Sequence, residues 1–214
     1  GLCNLSGGLV SVKIATTVLE AARLSAVTKV VSLLPASLLY GEVGAKDVPI
    51  KEGHFNEPRT AEEVFARAIA DLHMVYRDRH GVEFSVLAVS NAYGPRQRGA
   101  DGVVAAFVEA LDSGRAPIIH GTGRQTRDFV HVDDCVRTLD RAGGLVVNVG
   151  TGVSTSVRDL WALMAGASAL SPRTAAPRPH DIARLSLSPV RARIQLGWSP
   201  ATSLKDGLAG LRKS

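Results

Sequence analysis

Two short apolar runs, K-V-V-S-L-L at 29–34 and F-S-V-L-A-V at 84–89, stand some fifty residues apart with a long helical pattern between them. That spacing excludes a tight hairpin. A helical crossover between two strands instead lays them side by side and parallel in one sheet. The crossover helix is predicted over Ala61 to Arg79, with an apolar stripe at Val64, Ala68, Leu72 and Val75. Gly81 is suited to the left-handed turn that ends it. A first helix, Val12 to Leu24, precedes the first strand and carries Val12, Ala15, Val18, Leu19 and Ala22 at helical spacing. Pro35 breaks that strand, and 41–60, with three glycines, two prolines and mixed charge, reads as a long loop. Helix, strand, helix, strand predicts an α/β chain built on a parallel, Rossmann-like sheet with crossover helices.

After Pro95 the texture changes. The spacing predicts a helix at 103–112, short strands near 117–120, 128–132 and 145–149, a helix at 156–165, and shorter pieces to the end. This half, 96–214, reads as a smaller mixed α/β lobe, with the chain crossing back to the sheet near 125–150. At 214 residues and 45% hydrophobic the chain has core enough for one domain or two small ones. No apolar run reaches the roughly 18 residues of a membrane span, so no membrane partner is expected. Gly1-Leu2-Cys3-Asn4 lacks the basic head of a signal peptide, and Cys3 and Cys135 form no CxxC pair. A cytoplasmic location is therefore expected. His120 and His131 share no ligand spacing, and no metal is expected. The net charge of +5 would suit nucleic acid, but the basic residues are scattered and aromatics are only 5%. That is too few for base stacking, so nucleic acid is not expected as a partner.

The chemistry concentrates in G-T-G-R-Q-T-R-D-F-V-H-V-D-D at 121–134. Arginines beside a glycine turn, with aspartates beyond a short strand, suit an anion, because a guanidinium presents five donors in a planar fork. The triplets Gly121-Thr122-Gly123 and Gly150-Thr151-Gly152 give only G-x-G. The second follows a strand, but it lacks the third glycine and the distal acidic residue of a dinucleotide loop. It reads as a turn, with Ser154 or Ser156 capping the helix that follows.

Seven segments occur in one order: VLEAARLSAVTKVV, LLYGE, VLAVSNAYGPRQ, the 121–134 stretch, VNVGTGVSTSVRDL, APRPHD and VRARIQLGWSPATSLKDGL. Together they resemble the extended short-chain dehydrogenase/reductases, specifically the nucleotide-sugar epimerases and dehydratases. The resemblance implies that Asn91, Arg127 and Arg178 contact a nucleotide diphosphate, so a nucleotide-sugar or other anionic small molecule is the expected ligand. A salt bridge from Arg127 to Asp128 or Asp133 is the structural alternative. Asp128, Asp133 and Asp134 are expected to brace the turn and cap the next helix, and Arg191 to be structural. His180 stands where the family has glycine.

Departures from the family pattern shape the remaining expectations. Its G-x-x-G-x-x-G half-sheet has no counterpart ahead of the first helix. Residues 1–95 are thus expected to be the remnant of an N-terminally truncated dinucleotide-binding domain, with the NAD site lost and no cofactor. The family's Tyr-x-x-x-Lys pair falls on Glu63 and Arg67, and its Ser/Thr position on Ala36, with Ser37 one residue late. An ordinary glutamate titrates near 4.3 and a tyrosine near 10, so Glu63 arrives ionised where a phenol would act. It either pairs with Arg67 one turn on or serves, with Ser37, as acid/base of another reaction; Glu63, Arg67 and Ser37 are the catalytic candidates. The expected function is a degenerate epimerase/dehydratase-like protein, a non-redox binding protein or pseudoenzyme that keeps its nucleotide-sugar pocket. Alternatives are a cofactor-independent isomerase, lyase or cyclase, or one subunit of a split enzyme. The family resemblance also implies a homodimer through helices 12–24 and 61–79, using Ala15, Val18 and Ala22 with Val64, Ala68 and Leu72.

Overall fold

The computed structural model describes residues 5–54, 56–99, 102–139, 141, 143–166, 168 and 170–211. The first elements are α1 (Leu5–Leu24), β1 (Lys29–Pro35), α2 (Ala36–Tyr40), α3 (Ala61–His80), β2 (Glu83–Val89) and β3 (Asn91–Tyr93). They are followed by α4 (Val103–Asp112), β4 (Ile118–His120), β5 (Thr126–Arg127), β6 (Phe129–His131), α5 (Val132–Leu139) and β7 (Val146–Val149). The chain continues through β8 (Thr155–Ser156), α6 (Val157–Ala165), β9 (Arg173–Ala175), α7 (Val190–Leu196) and α8 (Leu204–Leu211). The main sheet has the order β1-β2-β7, all parallel, with Val30 opposite Phe84 and Val86 opposite Val146. The α/β architecture with parallel strands is as the sequence predicts.

Because successive strand residues face opposite ways, β2 feeds two cores. Phe84 and Val86 pack with Leu34, Ile69 and Leu187 under α3. Leu87 faces Val130, Val147, Ala192 and Trp198 on the other side. A third cluster, around Phe107, Phe129, Leu160 and Trp161, joins α4, β6 and α6.

Several elements differ from expectation for local reasons. The first helix begins at Leu5 rather than Val12. Its interior Gly8 lies so close to Phe65 of α3 that a Cβ there would overlap the ring, which explains a glycine inside a helix. On α3 the buried residues are Ala66, Ile69, Ala70 and His73. The predicted stripe lies off the core, with Val64 49% and Val75 51% exposed. On α1, Leu19 and Ala22 are buried and Val12 and Ala15 pack against the core, while Val10, Ile14 and Val18 point outward. Ala22 is therefore a core residue and not free to meet a second chain, whereas Ala15 is half-buried at the edge of that core. Gly81 takes φ 68° and ends α3, and Ser156 caps α6 by accepting the Asp159 N–H at 3.0 Å.

The strand predicted at 128–132 is β6, and a further short strand, β5, precedes it with Asp128 between the two. This carboxylate is wholly buried. It accepts the N–H groups of Thr151 (2.9 Å), Gly152 (3.0 Å) and Leu187 (3.0 Å), and the Thr151 hydroxyl at 2.6 Å. Burial pushes its carboxyl above the usual range, and the bonds from Thr151, Leu187 and Gly152 pull it back. Asp134, also buried, accepts the N–H groups of Ala201 and Thr202 and pairs with Arg137 at 2.5 Å. Arg191 donates to the Val146 carbonyl, a structural contact as expected. Asp128→Ala would strand three buried N–H groups. A loss of about 3–5 kcal/mol is expected, by analogy with other broken buried charged contacts. Urea unfolding of the variant against wild type checks it.

Candidate functional site

Asp128 sets the two side chains on either side of the cleft. Its carbonyl accepts the Asn91 N–H at 2.9 Å, and that bond starts the β3–β6 ladder. Arg127, the preceding residue, lies in β5 opposite Thr155 of β8. Asn91 and Arg127 then line one cavity of about 210 Å³, together with Arg178 and Asp181. Asn91 Oδ1 is buried and has no hydrogen-bond partner among the described residues. An asparagine amide offers both a donor and an acceptor to whatever enters. His120, Gln125, Arg178 and Asp181 are shared with a second cavity of about 420 Å³, which also holds Arg124 and Arg184.

The partner of Arg127 is neither Asp128 nor Asp133. Its Nη2 donates to Asp181 Oδ1 at 2.6 Å and its Nη1 to the Thr126 carbonyl at 2.8 Å. Burial lowers its pKa; Asp181 and Glu42 work against that, and the Arg178 charge adds to it. Arginine stays protonated through such a change. Two bonds leave further N–H groups of the fork for a ligand, and Asp181 fixes the plane in which they lie. Arg178 is exposed and begins the turn in which the Asp181 N–H meets its carbonyl at 3.3 Å. His180 sits in that turn at φ 57°, the left-handed region that favours glycine and that histidine enters more readily than most residues.

Glu63, Arg67 and Ser37 are placed elsewhere. Thr60 caps α3 by accepting the Glu63 N–H at 3.3 Å, and Glu63 Oε2 reaches back to the Arg59 N–H at 2.7 Å. This is a capping box displaced by one residue, and its signature, T-A-E-E at 60–63, stands in the sequence. The Glu63 carboxylate also lies beside Gly41, which occupies φ 64° at the end of α2. Arg67 Nη1 donates to the Asn56 carbonyl at 3.4 Å. Ser37 lies in α2, where its carbonyl accepts the Gly41 N–H. None of the three lines the cavity of Asn91 and Arg127. Sequence reasoning missed Asp181 and Glu42, whose Oε2 accepts the Ala183 N–H at 2.9 Å and so ties the Y-G-E turn to the 181–184 segment.

A parallel α/β sheet and a partly buried cleft lined by Arg127, Arg178 and Asp181 mark the class of protein as α/β with a polar surface cleft. Comparison makes this specific: a model of the NAD dependent epimerase/dehydratase family matches residues 9–151, and the chain belongs to that family. A UDP-glucose 4-epimerase of Mycolicibacterium smegmatis is 40% identical over 203 residues, which cover 89% of this chain and 63% of that relative. The crystal structure of a Thermotoga maritima UDP-glucose 4-epimerase with UDP-glucose aligns with a TM-score of 0.87 at 30% identity, covering 93% of this chain and 67% of that one. The Thermus thermophilus UDP-glucose 4-epimerase in complex with NAD gives 0.85 at 28% identity, over 93% and 67%. The chain thus spans a little under two thirds of the Mycolicibacterium relative.

These findings overturn the expectation of a lost NAD site and no cofactor. The family is NAD dependent by its description, and the Thermus relative holds NAD. That expectation rested on where the sequence begins, which says nothing of what precedes it. The Gly150–Gly152 turn does not fit the cofactor's pyrophosphate, because the Thr151 and Gly152 N–H groups are taken by Asp128. As to location, no helix among the described residues is long and apolar enough to cross a membrane.

The capping contacts of Glu63 are measurable. Glu63→Ala is expected to lower stability by about 1 kcal/mol, as loss of a helix cap does, and to leave nucleotide affinity unchanged. Thermal melting and calorimetry on the same sample check both.

Proposed function

We propose that this chain binds a nucleotide-sugar through its diphosphate, gripped by Asn91, Arg127 and Arg178, and acts as a binding protein or pseudoenzyme of its family. The observation that carries the reading is the shared cavity. Arg127 offers a held fork, Asn91 an unpartnered amide oxygen, and Arg178 a second positive charge. A diphosphate spreads negative charge over several oxygens, which suits a planar multi-donor group in a partly desolvated cleft. The solved Thermotoga relative with UDP-glucose makes a uridine nucleotide the natural first ligand to try.

The pseudoenzyme half rests on Ala36, Glu63 and Arg67. Glu63 and Arg67 turn toward the 56–60 segment that leads into α3, and Ala36 brings no hydroxyl. A carboxylate held by a backbone N–H is a poor substitute for a phenol that must give and take a proton near neutral pH. Uridine diphosphate is expected to bind with about micromolar affinity, and Arg127→Ala to weaken it roughly 10- to 100-fold, the worth of a charge-assisted hydrogen bond. Calorimetry measures this, and unchanged affinity in the variant would contradict the site. Turnover of UDP-glucose by the chain supplied with NAD would contradict the pseudoenzyme reading.

We also propose a homodimer through α1 and α3. Val10, Ile14 and Val18 on α1, with Val64 and Val75 on α3, form exposed apolar stripes on neighbouring helices, and Ala68 lies between them. Such stripes suit close helix packing against a second copy. Ala68→Glu is expected to convert a dimer to a monomer in light scattering, since an unpaired carboxylate is costly to bury. A monomeric wild type would reject the interface.

A further inference from the structure

The turn Gly121-Thr122-Gly123 has no part in the diphosphate grip, yet it shapes the second cavity. Gly121 and Gly123 take φ 63° and 71°, so the chain reverses between β4 and β5 and brings Arg124 to the wall of that hollow of about 420 Å³. Along the edge of β5, the Thr126 N–H donates to the Ala183 carbonyl at 3.0 Å, and the Leu185 N–H to the Thr126 carbonyl at 3.1 Å. This parallel bridge sets Arg184 opposite Thr126. Paired residues project to the same face, and neighbours along a strand to opposite faces. Thr126 and Arg184 therefore face one side of β5, and Arg127 the other. The two cavities lie on either side of the strand and meet at His120, Gln125, Arg178 and Asp181.

The second hollow is cationic. Arg124, Arg178 and Arg184 line it, and none of them is in an ion pair among the described residues. Asp181 is the only carboxylate among its lining residues, and Asp181 Oδ1 is already engaged by Arg127 Nη2. Three like charges around one hollow raise its potential, and a bound anion lowers it. Guanidiniums from two chain segments can grip one tetrahedral group from two sides, each through paired N–H donors. The walls come from 120–126 and 177–184 alone, so neither β1 nor α1 takes part. A phosphate monoester carries about 1.5 to 2 negative charges at pH 7 and three acceptor oxygens. That matches three guanidiniums better than a singly charged diester does.

We propose that this hollow is a second anion site, selective for a phosphate monoester and separate from the diphosphate site on Arg127. Arg124 and Arg184 hold the phosphate, and Arg178 stands where the two sites meet. The ribose of a nucleotide follows its diphosphate by a single methylene. A monoester on that ribose extends past Arg178 and Asp181 into the hollow while the diphosphate stays on Arg127. The ligand class then narrows to a nucleotide that carries a further phosphate on its ribose. That source of the phosphate rests on the nucleotide reading given above. Free phosphate, the other source of the same chemistry, does not.

Calorimetry on the whole chain compares uridine 5′-diphosphate with its 3′-phosphorylated form. Wild type is expected to bind the 3′-phosphorylated form roughly 10- to 100-fold more tightly, the worth of a charge-assisted hydrogen bond. The double variant Arg124→Gln/Arg184→Gln, with its melting transition intact, should bind the two equally and keep its affinity for uridine 5′-diphosphate. Inorganic phosphate, followed through the arginine side-chain ¹H–¹⁵N signals, tests the free source. Saturable shifts of the Arg124 and Arg184 Nε–H are expected, and dimethyl phosphate, a diester, should leave both unmoved. Phosphate shifts without a preference for the 3′-phosphorylated form would support the site with free phosphate as its occupant. Neither a preference nor shifts, a preference that survives in the folded double variant, or equal shifts with the diester would overturn the proposal. If uridine 5′-diphosphate itself does not bind, the nucleotide reading fails and the phosphate titration alone decides this one.

Discussion

The carboxylate of Asp128 is held by donors from two separate chain segments, the Thr151–Gly152 turn and Leu187, while its own carbonyl holds the Asn91 N–H. One residue therefore joins the end of the main sheet, the turn after β7 and the returning strand-like segment near 187. Gly150 is part of the same arrangement, since a Cβ there would come within 2.6 Å of Asp128 Oδ2. Because the carboxylate is buried, its donors are costly to leave unpaired, and the three segments are fixed relative to one another. Asn91 and Arg127 inherit their positions from this junction.

Around it the charges are arranged in alternation. Arg127 is held by Asp181 and lies near Glu42, with Arg178 close enough to oppose it. Two carboxylates act on the Arg127 guanidinium, and its bonds to Asp181 and Thr126 leave further N–H groups of the fork unused. In the proposed reading, an incoming diphosphate would add acceptors where Arg127 still has hydrogens. Binding at such a site gains from donors already aimed, so little ordering is required when the ligand arrives.

Much of the frame was legible from short-range pattern. The helix at 103–112 has the predicted bounds, and α3 and β2 differ by a residue at their ends. Where sequence reading failed, the cause was a contact between distant segments. The two-residue strand β5 went unread because it exists only by pairing with β8, in a distant segment. The partner of Arg127 lies 54 residues away, out of reach of any spacing rule. On α3 the apolar set 64/68/72/75 competes with 66/69/70, and packing against β2 and α1 selects the second, with His73 buried beside it. The T-A-E-E cap was readable and accounts for the place of Glu63 at the start of α3. The cofactor expectation failed for a different reason: it treated the first residue of the sequence as the first element of the fold.

The central claim is that Asp128 presents Asn91 and Arg127 to one bound diphosphate. Side-chain ¹H–¹⁵N spectra recorded during a titration with uridine diphosphate test it most directly. The account predicts that the Arg127 Nε–H and the Asn91 amide shift together along one saturation curve. Saturable shifts confined to other residues, with Arg127 and Asn91 unmoved, would contradict it.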